Sequence, residues 1–282
     1  MEQKPHIAVR VVTHIVLITL TLIILTPVCW VLVASLEKGG NLYGGAANTP
    51  LTFSNYRALL AHSNFLLWVR NSLLVCTASS LLALCFATTA GYAFSRFRFV
   101  GRKYGLLTLI ILQMFPAMMA MWAIYSMLNF LNSVTHGIIG FNLLGLTLIY
   151  AGGGIPFNIW LIKGYLDSIP RELEESAYVD GASRWQTFVQ VTLPLMGPIL
   201  VVVGVLTFIG AYNDFLIPSI VLLDDSQYTL AVGLRSFISG RYDTNWAQFA
   251  AASMLGALPV LALFLSLQRF LVEGLTKGSV KG

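Results

Sequence analysis

Residues 163–194 read KGYLDSIPRELEESAYVDGASRWQTFVQVTLP, a polar island between apolar stretches. Before it, no charge lies between Lys103 and Lys163; within and after it, none lies between Arg184 and Asp214. Pro170 can open a helix at its first turn, where the missing N–H costs nothing. Glu172, Glu174 and Glu175 then suit the positive end of the helix dipole. Gly181, after Asp180, is a helix-ending residue able to take positive φ. Ser183 begins a second helix, Gln186 completes a capping box, and Pro194 stops the helix from continuing. The island therefore reads as a helix, a glycine hinge and a second helix, with Leu173, Ala177, Phe188, Val189 and Leu193 on an apolar side. Such a hairpin either lies on lipid headgroups or fits a groove on a protein partner. Anionic lipid repels its acids, so a partner accounts better for both faces.

Outward from the island the chain is apolar. Of 282 residues, 57% are hydrophobic and 10% charged, against roughly 25% charged in soluble domains. Charge is also absent between Arg70 and Arg96 and between Asp243 and Arg269. Since a helix needs about 20 apolar residues to span hydrocarbon, the chain reads as an all-α polytopic membrane protein. One transmembrane domain, 1–282, holds six transmembrane helices at 14–35, 71–95, 104–129, 142–163, 196–218 and 249–271, with 164–195 as a cytoplasmic loop. The first run is too long for a signal-peptide core. Twelve of the seventeen Lys/Arg fall on one side, crowded at Arg96, Arg98, Arg102 and Lys103, and only Lys38, Arg57, Arg70, Arg235 and Arg241 on the other. The positive-inside rule then puts both termini in the cytosol.

The outer loops are 37–70, 130–141 and 219–248. The glycine-rich stretch 39–45 is either a plain connector or a surface for an external partner. In the fourth span, Gly152-Gly153-Gly154-Ile155-Pro156 predicts a break or kink whose freed backbone groups need a neighbour or water; the alternative is close helix packing on small residues. Cys29, Cys76 and Cys85 lack metal or redox spacing and read as small buried packing residues. The histidines are scattered. There is no phosphate-binding G-x-x-x-x-G-K-[ST], no nucleophile–base arrangement, no metal cluster and no nucleic-acid patch, so neither an enzyme nor a cofactor is expected on this chain.

The spacing Glu175-Ser176-Ala177, Gly181, Val191, Leu193-Pro194 resembles the signature loop of binding-protein-dependent ABC importer permeases, with Ser176 and Val191 as the two departures. Tyr92–Arg96, Gln113–Pro116, Tyr228–Gly233, Gly274–Thr276 and Val280–Gly282 resemble the G-type inner-membrane subunits of the maltose/maltodextrin group. The resemblance implies a type I ABC importer permease fold in a bacterial or archaeal plasma membrane. It implies a heterodimer with a second permease, two cytosolic ATPase subunits that carry ATP and Mg, an extracytoplasmic sugar-binding protein, and a boundary of membrane lipid. It makes the hairpin a coupling helix-turn-helix docked on the ATPase through Glu174, Glu175, Ser176, Ala177, Asp180, Gly181, Ala182, Leu193 and Pro194, with spans three to five rocking as it moves. It also gives the tail, Lys277, Ser279 and Lys281, as an ATPase contact, against a frayed terminus.

Sugar recognition wants aromatic faces and neutral hydrogen bonders in a concave site. Trp122, Tyr125, Tyr150, Asn158, Trp160, Tyr212 and Asn213 are the candidates for the translocation path, with Asp214, the acid inside an apolar span. Asp214 lies roughly 24 Å along its helix from Pro198 at about 1.5 Å per residue, which makes it either a functional group or a residue of the outer interface. The rival function is an ion-coupled secondary transporter of a small polar solute, which would need coupling acids in the membrane and usually an internal repeat.

Overall fold

The computed structural model describes residues 7–38, 50–239 and 245–277. Helix succeeds helix: α1 (Ile7–Leu36), α2 (Ser54–His62), α3 (Phe65–Arg96), α4 (Arg102–Gln113), α5 (Ala117–Val134), α6 (Leu143–Leu166), α7 (Glu172–Val179), α8 (Arg184–Thr187), α9 (Leu193–Leu195), α10 (Gly197–Asn213), α11 (Leu216–Val221), α12 (Leu230–Arg235) and α13 (Trp246–Lys277). A five-residue π-helical turn, Phe188–Thr192, joins α8 to α9. Among the described residues the only strand-like feature is an isolated bridge between Glu37 and Leu51.

Four of these helices are long and apolar enough to cross a membrane: Val9–Leu36, Phe65–Arg96, Leu143–Leu166 and Trp246–Phe270. Two bent pairs pass the same test together, giving six among the described residues if each pair is one span. The expected third span, 104–129, is not one helix. Pro116, with ψ of 123°, leaves helical geometry and separates α4 from α5, because proline supplies no N–H and its ring blocks the preceding turn. The fifth begins where expected, but α10 bends by 72° from the α8–α9 segment and ends at Asn213, with Asp214 extended (ψ 129°).

The fourth span corrects a second expectation. α6 is continuous through Gly152–Pro156. The Gln113 side chain donates to the Gly153 carbonyl at 3.1 Å, so a neighbour meets backbone next to the proline, as lipid requires. A Cβ at Gly154 would make only ordinary contact, 3.6 Å from Thr207 Cγ2 and 3.8 Å from Ala83 Cβ, and one at Gly152 or Gly153 would meet open space. The cysteine expectation holds only for Cys76; Cys29 and Cys85 are exposed.

The chain divides into two compact units, residues 1–66 with 234–258 and residues 67–233 with 259–282. In the first, Asn55 Nδ2 donates to the carbonyls of Ser35 and Glu37 at 2.9 Å each, and buried Ser35 shares a hydrogen bond with Tyr56. These bonds tie α2 to the end of α1. The glycine-rich stretch 39–45 lies outside the described residues.

The second unit has two apolar cores. One joins Ala87 and Tyr92 of α3, Ile159, Ile162 and Leu166 of α6, Phe188, Met196 and Val203. The other joins Val75, Leu128, Leu146, Val221 and Leu222. At the start of α3, Trp68 Nε1 donates to the Asp225 carbonyl at 3.0 Å, Asn71 Nδ2 donates to the Ser226 and Tyr228 carbonyls at 2.9 and 3.1 Å, and the Leu230 amide donates to Ser72 Oγ at 2.7 Å. The connection from α11 to α12 is therefore held to α3 along its length.

Candidate coupling hairpin and transport path

The hairpin forms as its local sequence dictates, with two differences. α7 starts at Glu172 with Arg171 as N-cap, so Pro170 precedes the helix rather than opening it. Its end is a Schellman motif: the Gly181 amide donates to the Tyr178 carbonyl at 3.1 Å and the Ala182 amide to the Ala177 carbonyl at 2.9 Å. Gly181 supplies the required positive φ, 88°, which costs other L-residues energy. Ser183 and Gln186 complete the capping box in both directions.

Pro194 does not stop the second helix. It lies inside α9, one residue past the start. The π turn before it explains this: widened i→i+5 bonding relieves the clash that a proline ring makes with the carbonyl four residues back in an α-helix. The helical path therefore runs from Arg184 to Leu195 and turns into α10 at Met196.

What fixes the hairpin is a buried polar network that reaches the ends of α3 and α6. Arg96 Nε donates to Glu174 Oε1 at 2.7 Å, with only 5% and 7% of the two side chains exposed. Arg96 also donates to the Ile169 carbonyl at 3.1 Å and to Ser95 Oγ at 3.4 Å. Buried Thr192, from the π turn, donates to the same Glu174 oxygen at 3.1 Å. Ser95 Oγ donates to Asp167 Oδ1 at 2.7 Å, Lys163 pairs with Asp167, and Arg171 Nη2 donates to the Ser95 carbonyl at 3.1 Å. Partial burial pushes the Asp167 carboxyl up, but the hydrogen bonds from Lys163 and Ser95 outweigh it and hold the group below its ordinary 3.8. An aromatic cluster adds apolar contact: Tyr92 packs on Phe188 at 4.6 Å between centroids and on Phe97 at 5.7 Å, with the Arg184 guanidinium over Phe97 at 5.6 Å.

This geometry sorts the expected coupling residues. Glu175, Ser176, Asp180, Gly181 and Pro194 are exposed, and Ala177, Ala182 and Leu193 half-buried. Glu174 is a correction: it faces inward and holds the hairpin, so it offers nothing to a partner. The outward face also carries Leu173, Val179 and Trp185, the last two 87% and 68% exposed. A cleft of about 190 Å³ opens among Arg96, Phe97, Arg171, Glu175, Tyr178 and Arg184. Sequence reasoning used Arg96 to orient the chain and, with Ser95, as part of the Tyr92–Arg96 motif, but gave neither these two nor Thr192 an anchoring role. Nothing local marks their roles, since each partner is distant in sequence.

The path candidates do not converge on one site. Asn158 is buried, and its Nδ2 donates to Thr207 Oγ1 at 3.1 Å, so it clamps α6 to α10. Tyr212 is buried and stacks on Phe208 at 5.9 Å. Tyr150 Oη donates to Asp214 Oδ2 at 3.0 Å, while Asp214 Oδ1 caps α11 by accepting from the Leu216 amide at 2.9 Å. Trp122 is 77% exposed and stacks on Tyr125 at 6.2 Å. Asn213 is exposed. Trp160 is exposed as well, with its indole N–H donating to the Leu106 carbonyl at 3.3 Å. Of the tail candidates, Ser279 and Lys281 lie outside the described residues, as does the side chain of Lys277.

Comparison with known proteins places this architecture. Residues 80–277 match the family described as binding-protein-dependent transport system inner membrane component. The chain is 36% identical over 272 residues to the maltodextrin transport system permease protein MalD of Streptococcus pneumoniae, covering 96% of this chain and 95% of that one. It is 36% identical over 295 residues to the maltose/maltodextrin transport system permease protein MalG of Escherichia coli, covering 100% and 99%. Among solved structures, it matches a chain of a bacterial ABC transporter involved in the import of the acidic polysaccharide alginate, with a TM-score of 0.77, 22% identity and coverage of 95% and 99%. A second match, at TM-score 0.66, 17% identity and coverage of 90% and 91%, comes from the alginate transporter in complex with an alginate pentasaccharide-bound periplasmic protein. The fold is that of an ABC importer permease, and the chain belongs to the binding-protein-dependent transport system inner membrane components.

Proposed function

We propose that this chain carries maltodextrin-type glucans inward as one of two different permeases, driven by a pair of cytosolic ATPase subunits and supplied by an extracytoplasmic sugar-binding protein. Both termini face the cytosol in this reading, and ATP with Mg binds the ATPase, leaving this chain no cofactor of its own. Near-full-length identity to maltose and maltodextrin permeases supports the cargo. The observation that carries the mechanism is the fixed hairpin: an exposed apolar and acidic face outside, and Glu174 and Asp167 locked to the ends of α3 and α6 inside.

Closure of the ATPase around ATP moves the hairpin as a unit. The anchors pass that motion to α3 and α6, and the helical path through Met196 passes it to α10. Span two is thus driven along with four and five, and the bonds of Gln113 and Trp160 between α4 and α6 draw in the third. A partner shifts the inward–outward balance only through contacts that differ between the states, so the exposed residues Glu175, Val179, Asp180 and Trp185 are where the closed ATPase acts.

The test is uptake of labelled maltodextrin into proteoliposomes holding the full assembly. Uptake should require ATP and the loaded binding protein, and Gly181→Leu should uncouple hydrolysis from uptake. Uptake driven by a proton gradient without the ATPase would instead establish the secondary transporter.

A further inference from the structure

The turn between α3 and α4 carries a surface that coupling does not use. Residues 97–104 read Phe-Arg-Phe-Val-Gly-Arg-Lys-Tyr, and no Asp or Glu occurs anywhere between Glu37 and Asp167. Gly101 makes the turn with φ of 87°, which pushes Val100 to the tip, where it is fully exposed at 103%. Tyr104 is 75% exposed. Arg98 and Lys103 are exposed beside them, and half-buried Arg102 reaches back to the Ser95 carbonyl at 3.4 Å. A cationic turn at the junction of two apolar helices, with Tyr104 at the start of the next one, matches an anionic membrane surface: phosphate at the level of the cations, acyl carbon beneath.

We propose that this turn binds an anionic phospholipid. Arg98 and Lys103 hold the headgroup phosphate, while Tyr104, in the first turn of α4, reaches the upper acyl carbons. A lipid fits better than a protein partner because exposed Arg98 and Lys103 carry one sign of charge and the acid nearest the turn, Asp167, is paired with Lys163, whereas the neighbouring hairpin mixes both signs. The site adjoins the hairpin anchor: Arg96 grips Glu174, and Phe97 lies under Arg184. Headgroup occupancy therefore steadies the end of α3 from which the hairpin is held. The headgroup chemistry does not depend on the cargo or on the ATPase reading.

The experiment is lipid retention by the intact transporter, purified in detergent and titrated with mixed phosphatidylglycerol and phosphatidylcholine, with bound lipid counted by native mass spectrometry. Wild type should retain phosphatidylglycerol preferentially. Arg98→Gln with Lys103→Gln should weaken that preference about 25-fold, at roughly 5-fold per cation near the surface. Arg98→Lys with Lys103→Arg, which keeps the charge, should restore it, separating headgroup binding from a folding defect. Equal retention of both lipids by wild type, or an unchanged preference in the Gln pair, would overturn the proposal. Loss of ATPase subunits from the Gln pair with lipid retention intact would also overturn it and assign the surface to a protein.

Discussion

Replacing Glu174 by Gln tests whether the Arg96–Glu174 pair anchors the hairpin. The change is nearly isosteric and keeps an oxygen able to accept from Thr192, but it leaves the Arg96 charge buried without a counter-ion. Breaking a buried pair from one side costs roughly 3–5 kcal/mol. Arg96 keeps the Ile169 carbonyl at 3.1 Å and Ser95 Oγ at 3.4 Å, which places the cost near the lower end, about 3 kcal/mol. On the docked–undocked balance that is on the order of 100-fold. The loss is local, because the core of Ala87, Ile159, Ile162 and Val203 packs without these groups. Hydrogen exchange read by mass spectrometry should show amides of 172–192 losing about two orders of magnitude of protection while 143–166 stay protected. Stimulation of the ATPase by loaded binding protein should fall in parallel. Arg96→Met with Glu174→Leu removes both charges and should recover much of the protection. Unchanged protection over 172–192 in Glu174→Gln, or an equal loss across the spans, would refute the anchor.

Three other positions give further expected outcomes. Gly181→Ala meets open space but must hold φ of 88°, so it should cost about 1–2 kcal/mol, seen as faster exchange confined to the α7–α8 junction. Asp167, held below its ordinary value, contributes stability that is present above pH 3.8 and is lost as pH falls through its lowered folded value. Protection of amides 163–171 should therefore decline only under strongly acid conditions, and Asp167→Asn should remove that pH dependence. Gly233→Ala places a Cβ 2.2 Å from the Trp68 ring; such overpacking costs typically 1–3 kcal/mol, and it should raise exchange at 222–233 and change the Trp fluorescence while the hairpin stays protected.

The hairpin was legible where its determinants are local. A glycine at C′ and a Ser-x-x-Gln box act within one turn of chain, and both form as read. Its anchorage was not, because Arg96 and Glu174 lie 78 positions apart and Thr192 and Glu174 lie 18 apart, and only packing brings them together. The spans were legible as apolar lengths, since charge density suffices to find them, but Pro116 splits the third and extended Asp214 ends the fifth early in ways that length does not report. The buried path candidates pair with neighbours for a physical reason. In a membrane a polar side chain needs a partner as much as a substrate does, and Asn158 finds Thr207 while Tyr150 finds Asp214. Polarity inside an apolar span therefore marks a satisfied neighbour before it marks a site.

The π turn is where local geometry and coupling meet, and deleting Gln190 tests it. Each residue added to a helix rotates the downstream chain by about 100°, so Phe188–Thr192 sets the face on which α9 and the entry to α10 emerge. It also lets Thr192 reach Glu174 and Pro194 sit inside a helix. Without exposed Gln190 the segment closes to an α-helix. The Pro194 ring then meets the carbonyl four residues back, at a cost of roughly 3 kcal/mol or more, and Thr192 rotates away from the carboxylate. The chain should still insert and associate with the second permease, because the core around Leu146 does not involve this segment, although Phe188 and Met196 join the segment to the core around Ile162. Uptake should fall sharply while basal ATP hydrolysis persists, and Thr192→Val, which only removes the hydroxyl, should show a milder version of the same uncoupling. Normal uptake by the deletion variant would mean that the hairpin transmits motion without this turn, and the route from ATPase to α10 would have to run through α3 and α6 alone.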